Sequence, residues 1–269
     1  MLPISKDNLA YPMYVEINQY SGTAFLMEYK NRIYLISAKH VFVNMENNKF
    51  LSQTVLVKYS KKELNSDNYF LSSFTMDMVI LSKNSKVIFD EKNDIIAIDI
   101  FENEMSPKHA NFTEGIVESN PRPGVFFVVP GASILTSNLV QIGHDVGIFG
   151  YPTSLQIQND KQFDFDLPLV RKGMVSQIYN EKGYIVLDCQ VHPGNSGGPV
   201  FQYTQHSHGL IKQYLIGILI QFIPHNTKLP VSNNYYGTIT SIYDAKNSGY
   251  SVAVNMDYVI ATLERFNRQ

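Results

Sequence analysis

His192-Pro193-Gly194-Asn195-Ser196-Gly197-Gly198-Pro199 is the stretch on which the reading of this 269-residue chain turns. It places a serine in a glycine-rich turn between two apolar runs. The glycines let the backbone bend and let another chain approach closely. They also let backbone N–H groups converge on a developing oxyanion. A glycine-rich β-turn with no chemistry reads the same way when taken alone, so a base and an orienting acid must be found elsewhere.

Seven histidines are available. His40 ends the apolar run Tyr-Leu-Ile-Ser-Ala-Lys-His, where a strand end can hold an imidazole rigidly over a cleft. A carboxylate is needed to orient such a base. Asp94 stands at the mouth of the apolar run Ile95–Ile100, and Asp77 precedes Met78-Val79-Ile80-Leu81 in a similar setting, so both remain candidates. His206 and His208 alternate along one segment. With one cysteine and no carboxylate spaced to join them, neither a metal site nor a cofactor is expected.

Working outward, the chain is a series of short Val-, Ile-, Phe- and Tyr-rich runs separated by turn residues. Such runs fit pleated strands. Among them are Met13–Ile17, Thr23–Met27, Ile33–Ser37, Thr54–Tyr59, Met78–Leu81, Val146–Phe149, Leu215–Phe222 and Gly249–Val254. Only the C-terminal segment has helical spacing, through Met256, Val259, Ile260 and Leu263, with Asn255 as an N-cap. A barrel or sandwich is the expected architecture. Pro107, Pro121 and Pro123 mark a polar connector, and the segment 224–248, rich in Asn, Pro and Gly, reads as a long surface loop.

Composition excludes several classes. Hydrophobic residues at 44% and charged residues at 17% argue against disorder. A formal charge of −2 gives no basic excess for nucleic acid or anionic membrane. The single Cys189 allows no intrachain disulfide and reads as a small buried hydrophobe beside the serine loop. No apolar run approaches the ~18 residues of a membrane helix. The N-terminus lacks a basic start followed by an apolar core, so a signal peptide is not expected. The cytoplasm is the expected compartment, with export by a route without a readable signal as the alternative.

Taken in order, His40, Asp94 and Ser196 follow the His…Asp…Ser order of chymotrypsin-type enzymes. The sequence here resembles that superfamily, above all bacterial trypsin-like peptidases and the protease domain of the Deg, or high-temperature-requirement, family. Ser21-Gly22-Thr23-Ala24-Phe25-Leu26 is similar to its first-barrel strand, Ser37-Ala38-Lys39-His40-Val41 to its histidine motif, and Asn93–Ile100 to its aspartate motif. Val140–Pro152, Val170–Ser176, Leu215–Ile218 and Tyr250–Asn255 resemble the strands of the second barrel. Lys39 and Ala24 depart from the usual pattern. So does the separation of 54 positions between His40 and Asp94, which points to an extended hairpin around Ser60–Phe74. A PDZ module of the Deg type is not expected.

The resemblance implies an all-β, chymotrypsin-like fold of two six-stranded Greek-key β-barrels with a C-terminal α-helix. The expected division is 1–101 for the first barrel, 102–139 for a connector, 140–254 for the second barrel and 255–269 for the helix. The implied activity is serine endopeptidase hydrolysis of a protein or peptide substrate. His40, Asp94 and Ser196 are the implied triad, and the N–H groups of Gly194 and Ser196 the oxyanion hole. Gln190, Ile218 and Ile220 are expected around the primary pocket. Gln190 supplies no acidic floor, which favours a small or medium apolar P1 residue. Asn195 replaces the aspartate that zymogen-type relatives pair with a new N-terminus, which implies activity without processing. A latent, peptide- or partner-binding module on the same fold is the alternative.

Overall fold

The computed structural model describes residues 6–102, 111–152, 164, 166–205, 211–232 and 239–266, with 228–232 and 239–245 described by backbone alone. Two curled antiparallel sheets dominate it. The first contains β1 (Pro12–Ile17), β2 (Tyr20–Tyr29), β3 (Arg32–Ser37), β4 (Thr54–Lys62), β5 (Tyr69–Asp77), β6 (Val87–Phe89), β7 (Ile96–Asp99), β8 (Ile116–Ser119) and β9 (Val128–Val129). Its order is β6-β7-β3-β2-β1-β4-β5-β8, with β9 parallel to β2. The second contains β10 (Asp145–Gly150), β11 (Leu169–Tyr179), β12 (Tyr184–Asp188), β13 (Pro199–Gln205), β14 (Ile211–Ser232) and β15 (Ile239–Asn255). It closes as the six-stranded barrel β10-β11-β12-β15-β14-β13. The architecture is the chymotrypsin-like double barrel, with nine strands rather than six in the first half.

Among the described residues three short α-helices punctuate the sheets: α1 (Lys39–Phe42), α2 (Met78–Lys83) and α3 (Met256–Leu263). The extended hairpin expected near 60–74 is β4–β5, paired from Thr54↔Asp77 to Lys62↔Tyr69. Met78–Leu81, expected as a strand, is α2. The Asp77 carboxylate caps it by accepting from the N–H groups of Val79 and Ile80 (2.9 and 3.0 Å), which satisfies two donors that a helix start leaves unpaired. Segment 224–248, read as a loop, instead carries paired backbone: β14 and β15 continue as a ribbon from Pro224↔Asn247 to Ser232↔Ile239. The stretch 102–139 includes β8 and β9, which pair with β5 and β2.

One apolar core fills the first sheet and runs on through Phe149, Phe201, Leu215, Ile218 and Val254 into α3, where Val259 and Leu263 are fully buried. Each such side chain contributes about 1.5–3 kcal/mol by leaving water. A second core of Val146, Ile148, Val175, Ile185, Leu187 and Val200 fills the second barrel. The two halves therefore share one apolar wall, and the loops bearing the chemistry meet along its rim. Among the described residues no helix is long and apolar enough to cross a membrane.

Candidate active site

Ser196 is presented by two consecutive tight turns. Asn195 N–H donates to the His192 carbonyl (3.0 Å), with Pro193 and Gly194 between them and Gly194 at φ 99°. Gly198 N–H donates to the Asn195 carbonyl (3.0 Å), with Ser196 and Gly197 between them and Gly197 at φ 86°. A proline at the first central position and a positive φ at the second define a type II turn. The serine sits at the first central position of the second turn. A Cβ on Gly197 would lie 2.0 Å from the Thr23 carbonyl oxygen and 2.1 Å from Ser37 Oγ, so only glycine fits.

Thr23, fully buried on β2, fastens this loop to the first sheet. Its N–H donates to the Ser196 carbonyl (2.8 Å) and its hydroxyl donates to the Gly194 carbonyl (2.8 Å). The same hydroxyl accepts from Tyr151 N–H (3.2 Å), and Ser37 Oγ donates to the Thr23 carbonyl (2.7 Å). From the second barrel, Gly197 N–H donates to the Leu219 carbonyl (2.7 Å) and Leu219 N–H to that of Gly198 (2.9 Å). Asn195 is fully buried, and its side-chain oxygen accepts from His192 N–H (3.2 Å), closing the loop on itself. Among the described residues the N–H groups of Gly194 and Ser196 donate to no protein acceptor.

His40 occupies the first turn of α1, where β3 ends. Asp94 holds it twice: Oδ1 accepts the His40 backbone N–H (2.8 Å) and Oδ2 lies 2.5 Å from the ring Nδ1. This fixes the ring orientation and assigns the proton to Nδ1, leaving Nε2 as an acceptor. Asp77 is spent on capping α2 and on accepting from Gln53 Nε2 (2.8 Å), which hold its carboxyl below the ordinary value.

The loop carrying Asp94 has its own support. Asp90 Oδ1 accepts from the N–H groups of Lys92 (2.8 Å) and Asn93 (2.7 Å), and its Oδ2 accepts from Arg265 beyond α3 (2.8 Å). Asp90 N–H donates to the Ile95 carbonyl (3.0 Å). Asp90 carries no expectation from sequence, and Arg265 carries only that of a cation near the C-terminus of the terminal helix. An Asp followed two and three positions on by Lys-Asn is an Asx-turn signal for Asp90, but nothing local pairs it with a residue 175 positions away.

His40 and Ser196 line one cleft of about 260 Å³, together with Val191, His192, Pro193, Leu219, Ile220, Gln221 and Phe222. Ser196 Oγ donates to the Ile220 carbonyl (3.3 Å), and among the described residues no hydrogen bond joins it to His40. Of the three residues expected around the primary pocket, Ile220 lines the cleft, Ile218 is buried in the core and Gln190 faces solvent. Cys189 is buried in the second core, and desolvation pushes its thiol up to about 11, with Arg171 opposing and Asp188 adding. Burial, aided by Arg171, lowers the His192 imidazole below its ordinary value. His206 and His208 lie outside the described residues. Among the described residues no three His, Cys, Asp or Glu side chains gather as metal ligands.

The chain as a whole has relatives among known proteins. Residues 22–210 match the model of the trypsin-like peptidase domain family. Protease Anisep from Arthrobacter nicotinovorans superposes with a TM-score of 0.50 at 11% identity, over 97% of each chain, a likeness of fold. Deg5 aligns over 95% of this chain and 88% of its own (TM-score 0.49, 15% identity). The HtrA-type protease AlgW with a tripeptide aligns over 95% of this chain (TM-score 0.45, 15% identity), and this chain spans 59% of it. No curated protein matches the sequence. The family match covers well over half of the chain, from within β2 to just before β14, and by it the chain belongs to the trypsin-like peptidase family.

Proposed function

We propose that the protein is a serine endopeptidase in which His40, Asp94 and Ser196 form the triad. The observation that carries this reading is the cleft that His40 and Ser196 share, with Asp94 clamped behind the ring. In the first step Ser196 Oγ swings by a χ1 rotation from the Ile220 carbonyl to His40 Nε2. It loses its proton to Nε2 and attacks the scissile carbonyl carbon. The N–H groups of Gly194 and Ser196 receive the oxyanion, each such donor being worth about 10²–10³ in rate. His40 then protonates the leaving amine. A water takes the amine's place, gives a proton to His40 and releases the acid from the acyl-enzyme. Asp94 remains ionised and stabilises the imidazolium.

Val191, Pro193, Leu219, Ile220 and Phe222 give the cleft an apolar lining, which supports a small or medium apolar P1 side chain. Asn195 supports activity without a freshly cut N-terminus. Its neutral amide already bonds the loop locally, where a buried aspartate would need a cationic partner. The alternative, a latent peptide-binding module, draws on the Ser196–Ile220 hydrogen bond, which holds the hydroxyl away from His40. A fluorophosphonate probe separates the two. Covalent labelling that is lost in Ser196→Ala supports the enzyme, and folded protein that resists labelling supports the module. Intact mass of the labelled species tests processing. Label found only on chains shortened at the N-terminus contradicts activity without cleavage.

A further inference from the structure

The two edges of the β14–β15 ribbon differ in what they offer to another strand. β13 leaves β14 after Pro199↔Ile218, and β12 leaves β15 after Asp188↔Tyr250. β14 and β15 stay paired for nine further rungs, from Pro224↔Asn247 to Ser232↔Ile239. Among the described residues no other strand pairs with either edge of this stretch. A two-stranded ribbon in water is marginal by itself.

Two prolines fix which backbone groups face outward. Along an antiparallel strand, residues turn their N–H and C=O alternately toward the partner and away from it. A proline has no N–H, so it fits where that side of the strand faces away. Pro224 and Pro230 both lie on β14 with an even separation, so one phase suits both. In that phase the outward row of β14 is Pro224, Asn226, Lys228, Pro230 and Ser232. The rungs put Asn247, Ala245, Tyr243, Ser241 and Ile239 in the outward row of β15. The β14 edge thus lacks a donor at Pro224 and again at Pro230, and prolines on an edge oppose strand addition. The β15 edge keeps every donor and every acceptor.

One open edge and one guarded edge select the partner. Pairing β15 of one copy with β14 of another would be head-to-tail and could repeat without closing, and the prolines oppose it. Pairing β15 with β15 uses the same surface on both copies and closes at two. We propose that the ribbon is a homodimerisation arm. The β15 edges of two copies, from Ile239 to Ala245, pair antiparallel about Ile242 and make one four-stranded sheet. The phase fits this occupant. Ile239 meets Ala245 of the second copy and Ser241 meets Tyr243, so outward residues oppose outward residues throughout. The four rungs so formed exchange about eight N–H···O bonds. The contact stops short of the root, where Asn247 Nδ2 donates to the Val191 carbonyl and Ser248 Oγ to that of Ile223 (2.5 Å each). Each copy therefore keeps its arm braced against its own body. The proposal does not depend on the chemistry of the cleft.

Sedimentation velocity of the full chain across the micromolar range tests this, with a monomer–dimer equilibrium as the expected result. Lys228 and Tyr243 share one rung, and their N–H groups face opposite edges. Tyr243→Pro removes a donor from the proposed interface and should weaken association at least tenfold. Lys228→Pro removes one from the guarded edge and should leave association unchanged. Cross-linking gives a readout that does not depend on tolerating a proline. Ile242→Cys would meet its own copy at a Cα separation of about 4.5 Å, within disulfide reach, so oxidation should trap the dimer. Thr240→Cys would lie about 13 Å from its copy and should not cross-link. The native Cys189 is buried and supplies no background. A folded parent that stays monomeric overturns the proposal. So do equal effects of the two prolines, equal cross-linking at the two cysteines, or assembly that grows past the dimer. A monomer that instead binds an unfolded polypeptide, and loses it in Tyr243→Pro, gives the edge to a foreign strand and overturns the proposal as well.

Discussion

Substituting alanine for Gly197 tests whether the serine loop takes its shape from contact with the first sheet. The added Cβ would sit 2.0 Å from the Thr23 carbonyl oxygen and 2.1 Å from Ser37 Oγ, and 3.0 Å from Ala38 N. Ordinary contact is near 3.4 Å or more, so the loop must lift by more than 1 Å or β2 must yield. The positive φ alone costs a non-glycine residue roughly 1–2 kcal/mol. Lifting the loop also strains the Thr23–Ser196 and Gly197–Leu219 hydrogen bonds, at about 1 kcal/mol each. A destabilisation of about 3–4 kcal/mol follows, together with a fall of roughly 10² or more in labelling rate, because ~1 Å of misplacement is felt at a nucleophile. Gly143→Ala is the control. Its φ is +83° but nothing lies within 4 Å of the added Cβ, so it should lose about 1 kcal/mol and no reactivity. Urea unfolding and second-order fluorophosphonate labelling measure both quantities. If Gly197→Ala unfolds like the Gly143 control and labels at the parent rate, the loop is not held as described.

Other contacts around the site give further expected outcomes. Asp94→Asn should cut activity by about 10⁴ with little change in fold, as expected for a base left in the wrong tautomer, whereas Asp77→Ala should leave kcat intact and lower the unfolding midpoint. Because Asp77 is held below its ordinary value, its stabilisation is present above the usual carboxylate range and fades as pH falls through the depressed value; the Ala variant should lack that part of the acid sensitivity. Arg265→Ala, which frees the Asp90 side of the aspartate loop, should lower kcat more than it raises KM, with partial recovery in Arg265→Lys. Cys189 should resist iodoacetamide in the native protein until pH approaches 11, label readily once unfolded, and accept Val without loss of activity.

The sequence was most legible where a function sits in a few contiguous residues. The serine turn, the histidine at a strand end and the aspartate before β7 each announce themselves within about eight positions, and their chain order does the rest. Four-residue apolar runs are less legible. Met78–Leu81 suits a strand or one helical turn, and the decision lies with the Asp77 carboxylate, which caps the helix start. The segment reads as a loop from sequence because Asn, Pro and Gly punctuate it and hide the pairing of its two arms. Gln190 and Ile218 illustrate a third limit. Alternation along β14 is reset by the bulge after Leu219, so Ile218 and Ile220 are both buried in the core but Ile220 also borders the cleft. The long-range supports, Thr23 to the serine loop and Arg265 to Asp90, have no local signature at all.

The central claim is that Ser196 is a nucleophile activated by His40 and oriented by Asp94. Fluorophosphonate labelling followed by peptide mapping tests it most directly. The account predicts a single adduct on Ser196, absent in Ser196→Ala and strongly slowed in His40→Ala and Asp94→Asn. Folded protein that takes up no label, or label carried on a residue other than Ser196, would contradict it.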